Sequence, residues 1–278
     1  MSDVPHERGI GLVWIDGELV EPSEARIPYD DHGVTVGDGA FETVKVSSGQ
    51  PFHLGRHLDR LDRSLAALRL APVERGRLEE AAAAVCDSFG GDGFLRITIT
   101  AGRGPLGSPR DDVDPTVIVA IRPGEVRVDP TAVVTVPFTR NERGALAGVK
   151  STSYAENVIA LDLAVSQGAT EAVFADTQGR LCEGTGSNVF VVVEDVLVTP
   201  TLATGCLDGI TRALLLELLP NAVEQDVPLD ALAATPEAFL VSTGREVQPI
   251  SHVDGRPLPA APGPHTERAR AAWLAAFG

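Results

Sequence analysis

Apolar residues recur at helical spacing early in the chain. Leu54, Leu58, Leu61, Leu65 and Leu68 lie three or four positions apart. This spacing places them on one face of an amphipathic helix. A second helix is predicted from Glu79 to Phe89, closed by Gly90 and Gly91, because glycine commonly ends helices.

Alternating or continuous apolar runs predict strands around these helices. The Asp16-Gly17 pair between two short apolar runs predicts a hairpin over residues 12–20. Further strands are predicted near 41–46, 94–100, 116–121, 131–138, 171–175, 188–193 and 236–242, with helices near 153–168, 209–218 and 264–276. Strands mixed with helices in both halves of the chain predict an α+β (mixed α/β) fold.

The segment Arg122-Pro123-Gly124-Glu125 interrupts the apolar pattern and is the best candidate for a linker. A chain of 278 residues suits two domains. We therefore expect a small N-terminal domain over residues 1–121, a linker over 122–130, and a larger C-terminal domain over 131–278.

Composition narrows the classes of protein. A 44% hydrophobic content is globular, and no apolar run approaches the length of a membrane span. The net charge of -16 argues against a surface for nucleic acid or anionic membrane. Three widely spaced cysteines indicate a reducing, cytoplasmic setting rather than disulfides or a metal site.

Lysine is scarce: the chain has only Lys45 and Lys150, and its other 21 basic residues are arginines. A lysine amine can lose its proton near neutral pH in a suitable environment, whereas an arginine cannot. Lys150, just before a predicted helix, is therefore a candidate Schiff-base nucleophile. The scarcity is equally typical of an arginine-rich composition in which a lysine survives by chance.

The most specific segment begins at Glu183 and ends at Arg212. It contains Glu183-Gly184-Thr185-Gly186-Ser187-Asn188-Val189-Phe190 and then Leu207-Asp208-Gly209-Ile210-Thr211-Arg212. Gly209, Ile210 and Thr211 open a predicted helix, and a helix N-terminus suits a phosphate. Taken alone, they are an ordinary helix start, and Glu183 is a surface carboxylate.

As a whole, this segment resembles the signature of the class IV aminotransferases, the pyridoxal-phosphate (PLP) family of branched-chain aminotransferases, D-amino-acid aminotransferases and aminodeoxychorismate lyase. The signature runs from a glutamate, through Asn-aliphatic-aromatic and a threonine, to aliphatic-x-Gly-aliphatic-x-basic. Segments 37–42, 57–61 and 239–244 are similar to other family blocks. Lys150, 33 residues before Glu183, occupies the Schiff-base position. The resemblance covers essentially the whole chain.

The resemblance implies a two-domain fold of PLP type IV with a barrel-like sheet in the C-terminal domain, and a homodimer. It implies that Lys150 carries the cofactor and moves a proton, Glu183 pairs with the pyridine nitrogen, and Arg60 binds the phosphate. The other implied cofactor-binding residues are Tyr154, Ser187, Asn188, Gly209, Ile210, Thr211, Ser242 and Thr243. No chemistry is implied for Lys45.

The substrate is less constrained. Arg96, Arg103 and Arg140 are candidates to bind a substrate carboxylate, although each is also typical of a solvated surface. Val34 and Val36 stand where D-amino-acid and branched-chain enzymes carry a tyrosine. We therefore expect a transaminase that transfers an amino group between an amino acid, including D-amino acids, or a primary (R)-amine and a 2-oxo acid. Aminodeoxychorismate lyase, which releases pyruvate and p-aminobenzoate, is the alternative. A non-enzymatic PLP-binding regulator is a third possibility, against which both Lys150 and Glu183 argue.

Overall fold

The computed structural model describes residues 11–278, which divide into two compact units. Unit 1 comprises the described residues as far as Glu125 together with Val149–Ser153, and unit 2 comprises Val126–Gly148 and Tyr154–Gly278. The segment that carries Lys150 thus belongs to unit 1, although the sequence-based domains assign it to the C-terminal half. The segment belongs to unit 1 because its backbone forms hydrogen bonds with Gly39 and Phe41, more than 100 positions earlier in the chain. A local sequence pattern does not reveal such bonds.

Unit 1 is built on a six-stranded antiparallel sheet. The strands are β1 (Val13–Ile15), β2 (Glu18–Val20), β3 (Gly39–Ser47), β4 (Gln50–Pro51), β5 (Gly93–Thr100) and β6 (Val117–Pro123). Their order is β2-β1-β6-β5-β3-β4. The predicted hairpin is confirmed: β1 and β2 pair across Asp16 and Gly17, which both have positive φ.

Three helices complete unit 1: α1 (His32–Thr35), α2 (Leu54–Ala67) and α3 (Arg75–Phe89). The predicted leucine stripe is confirmed, because Leu58, Leu61 and Leu65 are buried in one core with β3, β5 and β6. Helix α3 begins four residues before the predicted start and ends at Gly90, which has φ 65°. The first residues of α3, Arg75 to Arg77, are not apolar, so the apolar pattern does not mark the beginning of the helix.

Val34 and Val36, which stand where related enzymes carry a tyrosine, are on and beside a short helix. Val34 lies in α1 and Val36 directly follows it. The carboxylate of the preceding Asp31 accepts a hydrogen bond from the Gly33 N–H at 2.7 Å, which caps a helical turn. Both valines are exposed.

Unit 2 contains a nine-stranded mixed sheet. Its strands are β7 (Thr131–Arg140), β8 (Glu171–Asp176), β9 (Leu181–Gly184), β10 (Asn188–Val193), β11 (Val196–Thr199), β12 (Val223–Glu224), β13 (Ala238–Ser242), β14 (Glu246–Val253) and β15 (Arg256–Pro257). Their order is β12-β11-β10-β13-β14-β7-β8-β9, with β15 on β14. Only three residues separate β9, at one end, from β10, so the sheet curls in the barrel-like manner expected.

The helices of unit 2 are α4 (Ala155–Ser166), α5 (Ile210–Leu218), α6 (Ala231–Ala234) and α7 (Pro264–Phe277). Those predicted near 153–168, 209–218 and 264–276 are confirmed. Strand β14 was not predicted, and a proline ordinarily argues against an interior strand. Pro249 nevertheless lies in β14, opposite Phe239 of β13.

Two coarse expectations can be compared with the described residues. No helix between residues 11 and 278 is long and apolar enough to cross a membrane. Cys86, Cys182 and Cys206 are all free and buried, as expected of a chain without a disulfide framework. Burial raises the pKa of the thiols of Cys182 and Cys206, for Cys206 to about 12, which keeps both neutral.

Candidate active site

Lys150 is held beside the start of β3. Its carbonyl accepts a hydrogen bond from the Phe41 N–H at 3.0 Å, and the Thr152 N–H donates to the Gly39 carbonyl at 2.8 Å. Its side-chain Nζ lies 4.3 Å from the centroid of the Phe41 ring. Lys150 lies on a short segment between secondary-structure elements. The hydrogen bonds of this segment to the start of β3 determine the position of the Lys150 backbone.

A buried cluster of charged residues lies under this part of unit 1. Glu42 accepts hydrogen bonds from Arg60 Nε at 2.8 Å, Arg60 Nη2 at 2.7 Å and His57 Nδ1 at 2.7 Å. Glu42, His57 and Arg60 are each at most 6% exposed. Burial alone would raise the pKa of Glu42, but the hydrogen bonds from Arg60 and His57 outweigh it and lower that pKa to about 2. Burial lowers the pKa of His57, with the charges of Arg60 and Lys150 adding to the effect.

This cluster determines how Arg60 can serve a phosphate. Its Nε–Nη2 edge forms a two-bond fork with Glu42, so a phosphate has to approach from the other side of the guanidinium. A buried arginine whose plane is fixed by a carboxylate is a rigid donor. The sequence pattern identified Arg60 but missed Glu42 and His57. The i, i+3 relation between His57 and Arg60 on α2 was the available signal.

The candidate substrate arginines of unit 1 have different surroundings. Arg96 lies with its Cζ 3.4 Å from the centroid of the Phe41 ring, the same ring that Lys150 contacts. Arg103 pairs with Asp30 through Nε at 3.0 Å and Nη2 at 2.8 Å, and 63% of its side chain is exposed. The hydrogen bond from Arg103 lowers the pKa of Asp30.

In unit 2, Glu183 lies on the short strand β9. Its Oε2 accepts a hydrogen bond from the Leu207 N–H at 2.9 Å, and its Oε1 lies 3.3 Å from Arg140 Nε. The side chain of Glu183 is 12% exposed. Arg140 ends β7, and β8 separates β7 from β9 in the sheet. Arg140 therefore meets Glu183 beside the sheet instead of lying in open solvent.

Tyr154 and Asn157 converge on the loop after Glu183. Tyr154 Oη donates to the Thr185 carbonyl at 2.7 Å, and Asn157 Nδ2 donates to the same oxygen at 2.5 Å. Burial raises the pKa of the Tyr154 phenol, and the negative charge of Glu183 adds to the shift. The phenol is thus a neutral donor next to Glu183, and its proton is directed at a backbone carbonyl.

Glu171, a buried carboxylate, also binds the loop that follows Glu183. It accepts hydrogen bonds from the Thr185 N–H at 3.0 Å, the Thr185 hydroxyl and the Ser187 hydroxyl at 2.8 Å. Glu171 is 1% exposed, and Arg245 Nη2 lies 3.4 Å from its Oε2. The hydroxyl of Ser187, a predicted cofactor ligand, therefore points at Glu171. No sequence pattern singled out Glu171.

The turn predicted to bind a phosphate is the start of α5. Gly209 caps α5, and Ile210 and Thr211 form its first turn, where backbone N–H groups are not used within the helix. Asn188 Nδ2 donates to the Leu207 carbonyl at 2.9 Å. A Cβ on Gly209 would collide with Asn188 Oδ1, so only glycine allows this close approach. Ser242 ends β13, and Thr243 follows it.

The comparisons with known proteins agree on one family. Residues 39–253 match the family model described as amino-transferase class IV. The chain is similar to a putative branched-chain-amino-acid aminotransferase of Methanocaldococcus jannaschii, with 33% identity over 88% of each chain. It is also similar to a D-alanine aminotransferase of Bacillus licheniformis, with 29% identity over 94% of this chain and 95% of the relative. An aminodeoxychorismate lyase of Bacillus subtilis is 28% identical over 87% of each.

The fold comparison gives the same result. The structure matches a branched-chain aminotransferase from the archaeon Thermoproteus uzoniensis, with a TM-score of 0.88, 28% identity, and 95% and 94% of the two chains covered. It also matches a branched-chain aminotransferase solved with pyridoxamine 5′-phosphate, with a TM-score of 0.89 and 27% identity over 97% and 94% of the two chains. Fold and site together define a pyridoxal-phosphate-dependent transaminase of fold type IV. The chain belongs to the class IV aminotransferase family, and its cofactor is pyridoxal 5′-phosphate.

Each unit, taken by itself, contains groups whose chemistry suits that cofactor. In unit 1 these are the amine of Lys150 and the rigid, buried guanidinium of Arg60. In unit 2 they are the carboxylate of Glu183 and the N–H groups at the start of α5, where a Cβ on Gly209 would collide with Asn188. An amine for the aldehyde, cationic and N–H donors for a phosphate, and a carboxylate for a ring nitrogen are the groups that this molecule requires.

Proposed function

We propose that this enzyme transfers an amino group to a 2-oxo acid from an amino acid, including D-amino acids, or from a primary (R)-amine. Lys150 is the covalent anchor of the cofactor. The observation that carries the proposal is the position of Lys150 Nζ, 4.3 Å from the buried Phe41 ring on a segment hydrogen-bonded to β3. Schiff-base chemistry with a carbonyl requires a lysine amine at such a place.

The chain's own residues then have distinct tasks. When bound, the cofactor supplies an electron sink for the substrate carbon. Lys150 Nζ, freed when the substrate amine takes its place on the cofactor, would remove the proton from that carbon and return it to the cofactor carbon that had carried the lysine. Glu183 accepts a hydrogen bond from the ring nitrogen and keeps it protonated. Arg60 and the N–H groups at the start of α5 hold the phosphate.

The decisive experiment is a half-reaction. The purified holoenzyme is mixed with single D-amino acids, L-amino acids and (R)-amines without an acceptor, and its absorption spectrum is recorded. Conversion to the pyridoxamine form by D-amino acids or (R)-amines supports the proposal. Conversion by L-amino acids alone contradicts its donor class, and no conversion by any donor contradicts amino transfer. Borohydride reduction followed by peptide mass spectrometry should locate the cofactor on Lys150.

The carboxylate-binding arginine can be identified with paired donors. Arg96→Gln and Arg103→Gln are each tested with D-alanine and with a primary (R)-amine that lacks a carboxylate. A residue that binds the carboxylate should lose kcat/KM by about 10- to 100-fold with D-alanine only. Arg96 shares the Phe41 ring with Lys150, whereas Arg103 is tied to Asp30. Equal losses with both donors would exclude the tested residue.

Aminodeoxychorismate lyase is the second candidate. The similarity to the Bacillus subtilis lyase favours it. The lyase predicts release of p-aminobenzoate and pyruvate from aminodeoxychorismate without conversion to the pyridoxamine form. Chromatographic detection of p-aminobenzoate separates the two reactions.

We infer a homodimer in a reducing, cytoplasmic setting. Helix α4 exposes Val158, Ile159 and Val165, which are between 58% and 63% exposed, on a side away from its buried Ala160 and Ala164. Contiguous exposed apolar side chains of this size mark interaction surfaces. Light scattering should give twice the chain mass, and Val158→Asp should reduce it to one. A monomeric wild type would contradict the inference.

A further inference from the structure

Arg140 is surrounded on several sides within unit 2. Its Cζ lies 4.3 Å from the centroid of the Phe174 ring on β8. Its Nη1 donates to Glu156 Oε2 at 2.8 Å and to Asn157 Oδ1 at 3.1 Å, both on α4. The side chain is 17% exposed. A guanidinium stacked on a ring and fixed by two acceptors has a defined plane and little freedom to turn toward a substrate.

The remaining edge of this guanidinium faces Glu183. Arg140 Nε is buried and lies 3.3 Å from Glu183 Oε1, but it does not reach hydrogen-bond geometry with any described acceptor. Burying an N–H without a well-formed hydrogen bond costs free energy. The nearby carboxylate of Glu183 is the group that can offset this cost. The pair is held by charge, and Glu183 takes its backbone hydrogen bond from Leu207 instead.

The surroundings of Glu183 make this cation important. Glu171 and Glu156 lie in the same part of unit 2, and Glu183 and Glu171 both raise the pKa of the Tyr154 phenol. A carboxylate that is 12% exposed is costly to bury unless a cation or hydrogen-bond donors compensate its charge.

We propose that Arg140 is a positioning residue for Glu183: its guanidinium compensates the charge of the carboxylate and holds it oriented to accept the N–H of the cofactor ring. This role differs from the substrate-carboxylate role expected for Arg140 from the sequence. The inference rests on the proposed pairing of Glu183 with the ring nitrogen. It assigns Arg140 no contact with the substrate.

The test uses the apoprotein and two cofactors. Dissociation constants are measured for PLP and for its carbocyclic analogue, in which a C–H replaces the ring nitrogen. The wild type should prefer PLP. Arg140→Gln should reduce that preference by about tenfold, and Arg140→Lys should retain most of it. Arg143→Gln is the matched control, because Arg143 is 80% exposed and pairs only at 3.7 Å with Glu142.

Each outcome is decisive. An Arg140→Gln protein that weakens both cofactors equally, or keeps the wild-type preference, overturns the inference. Arg140→Gln should have no further effect on the preference in a Glu183→Gln background, because the two residues act as one unit. An additive effect would also overturn it. If the wild type itself shows no preference, the pairing of Glu183 with the ring nitrogen fails, whatever Arg140 does. If Arg140→Gln does not fold, Arg140→Lys with the same two cofactors decides.

Discussion

Two arginine–glutamate pairs, one in each compact unit, are built in opposite ways. In unit 1, Arg60 forms two hydrogen bonds with Glu42, and the two side chains are 7% and 0% exposed. In unit 2, Arg140 approaches Glu183 at 3.3 Å without a formed hydrogen bond, and the side chains are 17% and 12% exposed. The same two residue types thus serve different ends.

The difference is in which member of each pair meets the cofactor. In unit 1 the proposed ligand is the arginine, and the carboxylate behind it is a fixed support. In unit 2 the proposed ligand is the carboxylate, and the arginine behind it is the support. A tight two-bond pair gives a rigid cation, whereas a looser charge contact leaves a carboxylate able to adjust to a ring N–H.

The largest effect is expected at Lys150, the reactive group beside the first pair. Lys150→Arg keeps a positive charge but removes the amine, so kcat should fall by about a thousandfold or more. Loss of activity is measured with the best donor from the half-reaction panel. Lys45→Arg is the matched control on β3 and should keep wild-type activity. A Lys150→Arg protein with near-normal turnover would contradict the central assignment.

Replacing the two glutamates separates the pairs directly. Glu42→Gln leaves Arg60 buried without its counter-charge and should lower the free energy of unfolding by about 3–5 kcal/mol. Glu183→Gln should lower it by only about 1 kcal/mol while reducing activity strongly. Urea unfolding of both apoproteins provides the measurement. Equal losses of stability would show that the two pairs do not differ as the geometry indicates.

The sequence predicted the parts of the site that depend on local pattern. The helices near α2, α4, α5 and α7 follow from apolar spacing, and the turn before α5 follows from Gly209 and the residues after it. Lys150 and Glu183 were identified through their spacing in a signature. The helices and the turn are local features, because helix periodicity and turn chemistry act over a few residues, whereas the roles of Lys150 and Glu183 came from the resemblance to the family.

The supports were not predictable because they join distant residues. Glu42 lies 18 positions before Arg60, and Glu171 lies 14 before Thr185. In a single sequence, a buried glutamate on a strand looks like a solvated one, because burial is decided by the fold. Arg140 is the clearest case: its terminal place on β7 next to β8 and α4 turned a candidate for the substrate into a partner for Glu183.

The contribution of the Arg60–Glu42 pair to stability should be lost in acid. The pKa of Glu42 is about 2 in the folded protein against an ordinary value of 4.5, so the folded state favours the ionised form. The resulting stabilisation, about 3 kcal/mol, is fully present above pH 4.5 and is lost as the pH falls through 2. Unfolding free energies measured between about pH 6 and 2 should therefore fall more steeply for the wild type than for Glu42→Gln. Parallel curves for the wild type and Glu42→Gln would refute the assignment.

The smallest effect is expected at Tyr154, which borders the second pair. Tyr154→Phe removes one of two side-chain hydrogen bonds to the Thr185 carbonyl and leaves that of Asn157 in place. Stability should therefore fall by about 1 kcal/mol, and kcat by less than about tenfold, because the phenol proton is directed at the backbone. Urea unfolding and steady-state kinetics give both values. A loss of kcat by about a hundredfold with unchanged stability would instead mean that the hydroxyl acts on the cofactor itself, the role implied by the family resemblance. The Arg140–Glu183 pair would then lie next to a phenol that takes part in catalysis. The Arg60–Glu42 pair of unit 1, which is supported only by His57, would differ from it more clearly.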